Sequence, residues 1–270
     1  MNKNASFIET KEYRRYTEFC EACIKYKYIG LCYGAPGVGK TLSSRHYSDW
    51  DNVERQMKFL NEKDILDNVT DKILTAHTIF YTAPASRPSR LTEQIRYLGH
   101  LLHRTKERYC AKKYNIEEDY SNYDAFSGID LIIVDEIDRL KLQQLEQLRD
   151  IYDQNGVALV LIGMPGTEKK LARFPQLYSR IGFAHEFDKL SKVETQHILE
   201  YKWAELGVDI KLEDFSDYES IASVIKITGG NFRLIHRLFT QIDRILKINN
   251  LQKINVDVVE AARDSLIIGI

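Results

Sequence analysis

Apolar and polar positions follow two different patterns along the chain. Up to about residue 189, short apolar runs alternate with stretches in which apolar residues recur at helical spacing. The third run is nearly continuous, which is typical of a parallel strand covered on both faces. The alternation predicts an α/β fold with a parallel sheet. The predicted strands are residues 28–33, 77–82, 129–134, 157–162 and 183–187.

From about residue 190 the strand pattern ends and only helical spacing remains. We therefore expect an N-terminal helical segment (1–27), an α/β domain (28–189) and a small helical domain (190–270). Between the strands, residues 49–75 predict a poorly defined polar insertion, and residues 112–127 predict a surface loop. Helices are predicted at residues 7–27, after the Gly-rich turn at 34–41, from 91 to 102, from 142 to 152, and at 192–206, 217–227, 232–248 and 256–267.

Composition places the protein among ordinary globular chains. Its 270 residues are 44% hydrophobic and 29% charged, with 38 basic and 39 acidic side chains and a net charge of -1. No apolar run approaches the roughly 18 residues that a membrane helix needs, and the polar first residues do not resemble a signal peptide. Four cysteines are too few for a disulfide framework in a chain of this length. We expect a cytoplasmic protein without a membrane partner.

One Gly-rich segment carries the complete pattern of a phosphate-binding loop, G-x-x-x-x-G-K-T, between a predicted strand and a predicted helix. Its glycines let main-chain N–H groups point at a phosphate, and the helix N-terminus adds a positive end. We expect Lys40 to reach the β- and γ-phosphates of ATP and Thr41 to bind Mg²⁺. The predicted nucleotide-binding residues of this loop are Gly34, Ala35, Pro36, Gly37, Val38, Gly39, Lys40 and Thr41.

Two adjacent acids follow the third predicted strand. Asp135 is expected to hold the metal or its water shell, so it joins Thr41 in the predicted Mg²⁺ site. Glu136, one residue further on, could orient and deprotonate an attacking water. Asp138 either joins the metal shell or caps the next helix, and we favour the cap.

Together with the helical C-terminal part, these two motifs resemble the AAA+ ATPases. The resemblance implies a P-loop domain with a five-stranded parallel sheet in the order 5-1-4-3-2 and a small helical lid domain. It also implies a homo-oligomer (a ring, spiral or filament) in which an arginine of one subunit completes the site of the next. Arg180 stands at the position of that catalytic arginine, with Arg173 as the alternative. Arg233, after Gly229-Gly-Asn-Phe232, matches the sensor-2 arginine that contacts the γ-phosphate within one subunit.

The chain departs from the AAA+ pattern after the fourth predicted strand. Many of these proteins carry a polar sensor-1 residue there, whereas this chain has Met164. A methionine cannot hydrogen-bond a lytic water as asparagine or threonine does. Either Thr167 substitutes for the missing group, or hydrolysis is slow.

Within AAA+, the chain resembles the transposition ATPases of the MuB, TniB and TnsC type. This narrower resemblance implies a slow, regulatory ATPase that oligomerises on double-stranded target DNA, recruits or activates a transposase, and disassembles on hydrolysis. A target-selection protein is a further expected partner. The segments that carry it are Tyr33-Gly-Ala-Pro-Gly-Val-Gly-Lys-Thr41, Asp135-Glu-Ile-Asp138, Ile162-Gly-Met-Pro-Gly166, Leu177-Tyr-Ser-Arg-Ile181 and the short lid.

A basic segment is the candidate DNA-binding region. Residues 87–113 contain eight basic and two acidic side chains, although the whole chain has a net charge of -1. Lysine and arginine contacts to phosphates would give sequence-tolerant, salt-sensitive binding. We predict DNA contacts from Arg87, Arg90 and Lys106. An ordinary solvated helix face is the alternative explanation.

Two other functions remain open at this point. One is a remodelling motor of the clamp-loader or unfoldase type, and the other is a nucleotide-dependent signalling switch that does not bind DNA. Met164 and the lack of an added substrate-recognition domain count against the motor. The basic segment counts against the switch.

Overall fold

The five apolar runs form a single parallel sheet in the computed structural model, which describes residues 7–60, 65–85, 90–119, 124–207 and 214–266. The spatial order is β2-β3-β4-β1-β5, the order that the AAA+ resemblance implied, so the predicted α/β fold class is confirmed. The strands are β1 (Ile29–Tyr33), β2 (Thr78–Thr82), β3 (Leu131–Asp135), β4 (Ala158–Gly163) and β5 (Ile181–Glu186).

Burial along each strand follows its place in the sheet. Strands β3 and β4 are buried at every position, as expected for central strands with both faces covered. Strand β5 lies at an edge and alternates between half-buried and exposed residues. The register aligns Thr82 with Asp135, which brings the carboxyl ends of β2 and β3 together. Polar residues that follow these strands are therefore neighbours in space.

Helices flank the sheet, and those at Lys11–Tyr26, Lys40–Tyr47, Leu91–Tyr114 and Leu142–Asn155 lie where the sequence predicted a helix. Two short 3₁₀ turns, Asp71–Ile73 and Ile137–Arg139, connect them to strands or loops. The helices up to β5 are α1 (Lys11–Tyr26), α2 (Lys40–Tyr47), α3 (Trp50–Met57), α4 (Ile65–Asn68), α5 (Leu91–Tyr114), α6 (Leu142–Asn155), α7 (Thr167–Leu171) and α8 (Pro175–Tyr178).

The predicted insertion at residues 49–75 is more ordered than we expected. It contains α3, α4 and a 3₁₀ turn. Trp50, Val53 and Met57 recur on one face of α3 and are buried, as is Ile73. The prediction of a poorly defined insertion was wrong because these few apolar residues are spaced at helical intervals among many charges.

The predicted surface loop at residues 112–127 also differs from the structure. Helix α5 continues to Tyr114, and the segment returns to the core at Phe126, which is buried. Gly99 explains the return. A Cβ atom at Gly99 would lie only 2.0 Å from the main-chain oxygen of Ala125, so only glycine allows that close approach.

Four helices form a second hydrophobic core after the sheet. They are α9 (Lys192–Glu205), α10 (Phe215–Thr228), α11 (Phe232–Asn249) and α12 (Val256–Asp264). Trp203 and Phe239 pack edge to face at the centre, with ring centroids 5.0 Å apart. Each helix begins at a residue whose side-chain oxygen accepts a main-chain N–H of the first turn. These capping residues are Ser191, Asp214, Asn231 and Asn255.

The chain divides into two compact units whose limits differ from the predicted domains. Within the described ranges, the α/β unit comprises residues 15–34 and 40–186, and the helical unit comprises residues 7–14, 35–39 and 187–266. Of the N-terminal residues 1–27, expected to form their own segment, residues 7–14 belong to the helical unit and residues 15–27 to the α/β unit. Phe19 of α1 packs closely against Gly30 in the α/β unit, whereas the main-chain N–H of Lys11 donates to Glu194 in the helical unit.

None of the described helices combines the length and the apolar character that crossing a membrane requires.

Candidate functional site

Lys40 is held at the end of β1 by its own loop. It is the first residue of α2 and is only 8% exposed. Its ammonium group donates to the main-chain oxygen of Gly34 at 2.6 Å. Burial lowers the pKa of Lys40, since the charged form loses water around it. The strand–loop–helix therefore places a buried cation at the N-terminus of a helix, which suits a phosphate group.

Thr41 and Asp135 bring two hard oxygen ligands together from distant parts of the sequence. The Thr41 hydroxyl donates to Asp135 Oδ2 at 2.7 Å, and the main-chain N–H of Glu136 donates to Asp135 Oδ1 at 2.8 Å. Asp135 is 3% exposed, and burial raises the pKa of its carboxyl group. A hydroxyl and a carboxylate beside a phosphate loop are the ligands that Mg²⁺ uses in such sites, so these residues fit the metal.

Glu136 follows Asp135 in a left-handed backbone conformation, with φ of 61°. Its carboxylate lies 3.6 Å from Arg139 Nη2. Arg139 Nη1 in turn donates to the main-chain oxygen of Ala83, just beyond β2, at 2.8 Å. Sequence reasoning missed Arg139; the available signal was a basic residue three positions after the predicted general base. Arg139 restrains the carboxylate of Glu136 and ties it to the end of β2.

Asp138 has a role different from the predicted one. Its carboxylate accepts the main-chain N–H of Met164 at 2.8 Å and the hydroxyl of Thr167 at 2.6 Å. Helix α6 instead has Lys141 at its N-cap position, with the Gln144 side chain accepting the Lys141 N–H. The predicted cap on the next helix was wrong, because the 3₁₀ turn directs Asp138 towards the loop after β4.

Thr167, which follows β4, is tightly packed. Its side chain is 2% exposed, and the hydroxyl also contacts the main-chain oxygen of Met164 at 2.7 Å. A Cβ atom at Gly163 would lie 2.3 Å from this hydroxyl, so the two residues are tightly packed. Met164 itself is exposed. The Thr167 hydroxyl thus donates within its own chain, to Asp138.

Within the helical unit, residues 35–39 of the phosphate loop contact the start of α11. The main-chain N–H of Arg233 donates to the Gly37 oxygen at 3.0 Å, and the Asn231 amide donates to the Pro36 oxygen at 2.9 Å. Gly37 has φ of 81°, and a Cβ atom there would lie 2.6 Å from Asn231 Oδ1. The loop therefore needs glycine at this position. Asn231, which sequence reasoning missed, both caps α11 and holds the loop.

The side chain of Arg233 is exposed at this helix start. Its main chain is anchored on the loop that carries the predicted nucleotide-binding residues. No contact of its guanidinium group is present among the described residues, and its sensor-2 role stays a prediction. The remaining predicted loop residues Ala35, Val38 and Gly39 belong to the same part of the helical unit.

Arg180 lies directly before β5 and is already bound by its own chain. Its Nε and Nη2 donate to the two carboxylate oxygens of Asp153 at 2.6 and 2.8 Å. Its Nη1 donates to the main-chain oxygen of Gln176. Arg173, the alternative arginine, is exposed. The trans role of either residue stays a prediction.

The predicted DNA contacts differ in their surroundings. Arg87 lies outside the described residues. Arg90 is exposed, and its Nε lies 3.6 Å from Glu93 Oε2. Lys106 is half-buried and donates to the main-chain oxygen of Ala76, and burial lowers the pKa of Lys106. Lys106 therefore packs against its own chain, whereas Arg90 remains accessible.

Other cations of the basic segment also bind carboxylates of the same chain. Arg96 Nη1 lies 3.4 Å from Asp124, and Lys113 donates to Asp71. These pairs reduce the local excess of positive charge that the sequence suggested. DNA binding by this segment stays a prediction.

Comparisons with known sequences agree with the phosphate-binding and metal-binding arrangement of Lys40, Thr41 and Asp135. Residues 23–171 match the family model described as AAA domain, which is more than half of the chain. The chain belongs to this AAA domain family. Membership implies nucleotide binding. A relative of the AAA protein, the potential ATP-binding protein of Staphylococcus aureus, is 60% identical over 270 residues, the whole of both chains.

A second relative matches a smaller part of the AAA protein. The Mu-like prophage FluMu DNA transposition protein B of Haemophilus influenzae is 29% identical over 116 residues, which is 40% of this chain and 38% of that protein.

Solved structures with the same fold cover nearly the whole chain. The RuvB Holliday junction branch migration motor of Thermotoga maritima has a TM-score of 0.58 at 19% identity, covering 96% of this chain and 70% of its own. The ORC1 protein of Aeropyrum pernix, in complex with DNA, has a TM-score of 0.59 at 18% identity, covering 94% of this chain and 64% of its own. At these identities the likeness shows the fold of the AAA protein.

Proposed function

We propose that this AAA protein is a slow, cytoplasmic ATPase that regulates DNA transposition. ATP binding would drive its oligomerisation on double-stranded target DNA, where it recruits or activates a transposase, and hydrolysis would dismantle the assembly. The observation that carries the transposition part is the 29% identity with a DNA transposition protein B over 116 residues. A target-selection protein would be a second partner.

The ATP part of the proposal is supported by the geometry around β1 and β3. Lys40 would bind the β- and γ-phosphates, and Glu136 would take a proton from the attacking water. Thr41 and Asp135 would hold Mg²⁺, which neutralises charge on the phosphate oxygens when it is bound. Two features support a low turnover rate: Met164 is exposed, and the Thr167 hydroxyl already donates to Asp138.

The proposed assembly uses arginines at two places. Arg180 would act on the nucleotide of a neighbouring copy, and Arg233 would contact the γ-phosphate of its own copy. On the DNA side, Arg90 and Arg87 would bind phosphates without reading sequence. The fold itself occurs in a DNA complex of ORC1, so it is compatible with DNA binding.

A remodelling motor is the second candidate function. It is favoured by one observation, the structural likeness to the RuvB branch migration motor. A motor would turn over ATP quickly and perform directional work on its substrate. The two candidates therefore differ most clearly in turnover rate.

Electron microscopy and co-sedimentation with a plasmid of arbitrary sequence would test the proposal. With ATP and Mg²⁺ the protein should form filaments that dissolve as salt is raised, with turnover below about 1 s⁻¹. Lys40→Ala should weaken nucleotide binding about 100-fold, since it removes a charged partner of the phosphates, and should prevent filaments. Lys169→Ala, an exposed lysine, is the matched control.

Three results would contradict the proposal. Filaments of Lys40→Ala without nucleotide would separate assembly from ATP. A wild-type protein that stays monomeric with saturating ATP, Mg²⁺ and duplex would remove the assembly mechanism. Turnover well above about 1 s⁻¹ with directional work would favour the motor.

A further inference from the structure

We propose that Asp153 is a positioning residue for Arg180: it orients the guanidinium group through which one copy acts on the nucleotide of its neighbour. The inference rests on the proposed trans role of Arg180 and adds a residue to it. Asp153 lies in the last turns of α6, 27 positions before Arg180 in the chain. It would touch neither nucleotide nor water, so its effect would pass entirely through Arg180.

The contact between the two side chains is bidentate. Arg180 Nε and Nη2 donate to Asp153 Oδ1 and Oδ2 at 2.6 and 2.8 Å, and Nη1 donates to the Gln176 main-chain oxygen. A guanidinium group carries five N–H donors, so this arrangement leaves one on Nη1 and one on Nη2. These two N–H groups make no hydrogen bond to the described residues, and the side chain is 33% exposed, so we propose that they bind phosphate oxygens of the neighbouring copy.

The backbone segments that carry Arg180 and Asp153 are both fixed by hydrogen bonds. Its main-chain oxygen accepts the N–H of Ile29 in β1 at 3.2 Å, so the backbone is tied to the central part of the sheet. The last turns of α6 are tied as well, because the Tyr152 hydroxyl donates to the Lys27 oxygen at 2.7 Å. An arginine on a surface normally loses much side-chain entropy when it binds. Here that ordering has already taken place in the isolated chain, which is the requirement for a preorganised group.

Arg149 supports the same arrangement from the other side. Its Nε lies 3.7 Å from Asp153 Oδ2, and its Nη1 donates to the side-chain oxygen of Gln176. It therefore contacts both residues that hold Arg180. Its own charge is balanced by Glu146 at 2.5 Å and Asp150 at 2.8 Å. Asp153 is thus the centre of a small network rather than one half of an isolated surface pair.

A purely structural ion pair is the competing explanation. Exposed pairs contribute little to stability, and their removal should leave the enzyme's kinetics unchanged. A positioning role predicts something different. Loss of Asp153 should lower the catalytic rate of the assembled protein, because the guanidinium would no longer be aligned, while ATP affinity within one chain should remain.

The experiment compares steady-state ATP turnover of full-length variants on duplex DNA, at protein concentrations that give filaments. Asp153→Ala should lower kcat about tenfold with little change in KM. Asp153→Glu, which keeps a carboxylate, should recover part of the rate. In an Arg180→Ala background, Asp153→Ala should have no further effect, since its action passes through the arginine. Asp243→Ala, which removes a carboxylate paired with Lys247 in α11, is the matched control.

The outcomes separate this inference from the proposed function. If Arg180→Ala assembles and hydrolyses ATP like the wild type, the trans role of Arg180 fails. If Arg180→Ala is impaired while Asp153→Ala is normal or faster, Asp153 does not position it. An additive loss in the double variant would mean a structural role and would also overturn the inference. Should Asp153→Ala fail to fold by circular dichroism, Asp153→Asn, which keeps a neutral acceptor of similar shape, replaces it in the same comparison.

Discussion

The phosphate loop and the basic segment at residues 87–113 were both conspicuous in the sequence, yet their charged side chains have different surroundings in the structure. In the loop region, Lys40 donates to the Gly34 oxygen and Thr41 donates to Asp135, and both Lys40 and Asp135 are buried, at the ends of β1 and β3. In the basic segment, Lys106 and Lys113 are bound to oxygen atoms of their own chain.

The difference lies in how each signal arises. A phosphate loop depends on consecutive residues between a strand and a helix, so its geometry follows from local sequence. A run of positive charge says nothing about which carboxylates or carbonyls will lie beside it. Its capacity to bind phosphates depends on the cations that remain accessible after folding, such as Arg90.

The largest expected effect comes from Glu136 in the nucleotide region. Glu136→Gln should lower hydrolysis by roughly 10²- to 10⁴-fold, because the amide cannot accept the proton of the attacking water. ATP binding and assembly on DNA should persist, giving long-lived filaments. Phosphate release and co-sedimentation measure the two properties, with the exposed Glu117→Gln as control. Normal hydrolysis by Glu136→Gln would show that another group activates the water.

A smaller effect is expected from Arg139, which lies beside Glu136. Arg139→Ala removes the ion pair at 3.6 Å and the bond to the Ala83 oxygen. An interaction of about 1 kcal/mol corresponds to about a fivefold loss of turnover, with ATP affinity unchanged. Steady-state kinetics beside the exposed Arg55→Ala would measure it. An equal loss in ATP affinity would instead place Arg139 in nucleotide binding.

The smallest effects should appear in the basic segment, and they test the comparison directly. Arg90→Ala should reduce the slope of log affinity against log salt by about one phosphate contact. Lys106→Ala should leave that slope unchanged and should lower the free energy of unfolding by about 1 kcal/mol, since it loses the bond to Ala76. Duplex titrations at several salt concentrations and urea unfolding give both quantities. A changed slope with unchanged stability in Lys106→Ala would reverse our assignment and restore Lys106 as a DNA contact.

Apolar periodicity predicted the elements well where it was strong. All five strands and the four helices after residue 190 were found within a few residues of their predicted limits. Helix α3 was missed, because Trp50, Val53 and Met57 are outnumbered by charges in their segment. Asn231 was missed as a loop contact for another reason: a residue next to a helix start is an ordinary cap, and its bond to Pro36 joins positions far apart in the chain.

The amino-acid order alone therefore determined the strands, the phosphate loop and the acids after β3, since each depends on a short stretch whose side chains the local backbone places. Only the tertiary structure decided that Asp138 holds Thr167, that Arg139 restrains Glu136 through the end of β2, and that Asp153 holds Arg180. These contacts join side chains from separate elements. Their partners are chosen by how strands and helices pack, and that choice leaves no periodic trace along the chain.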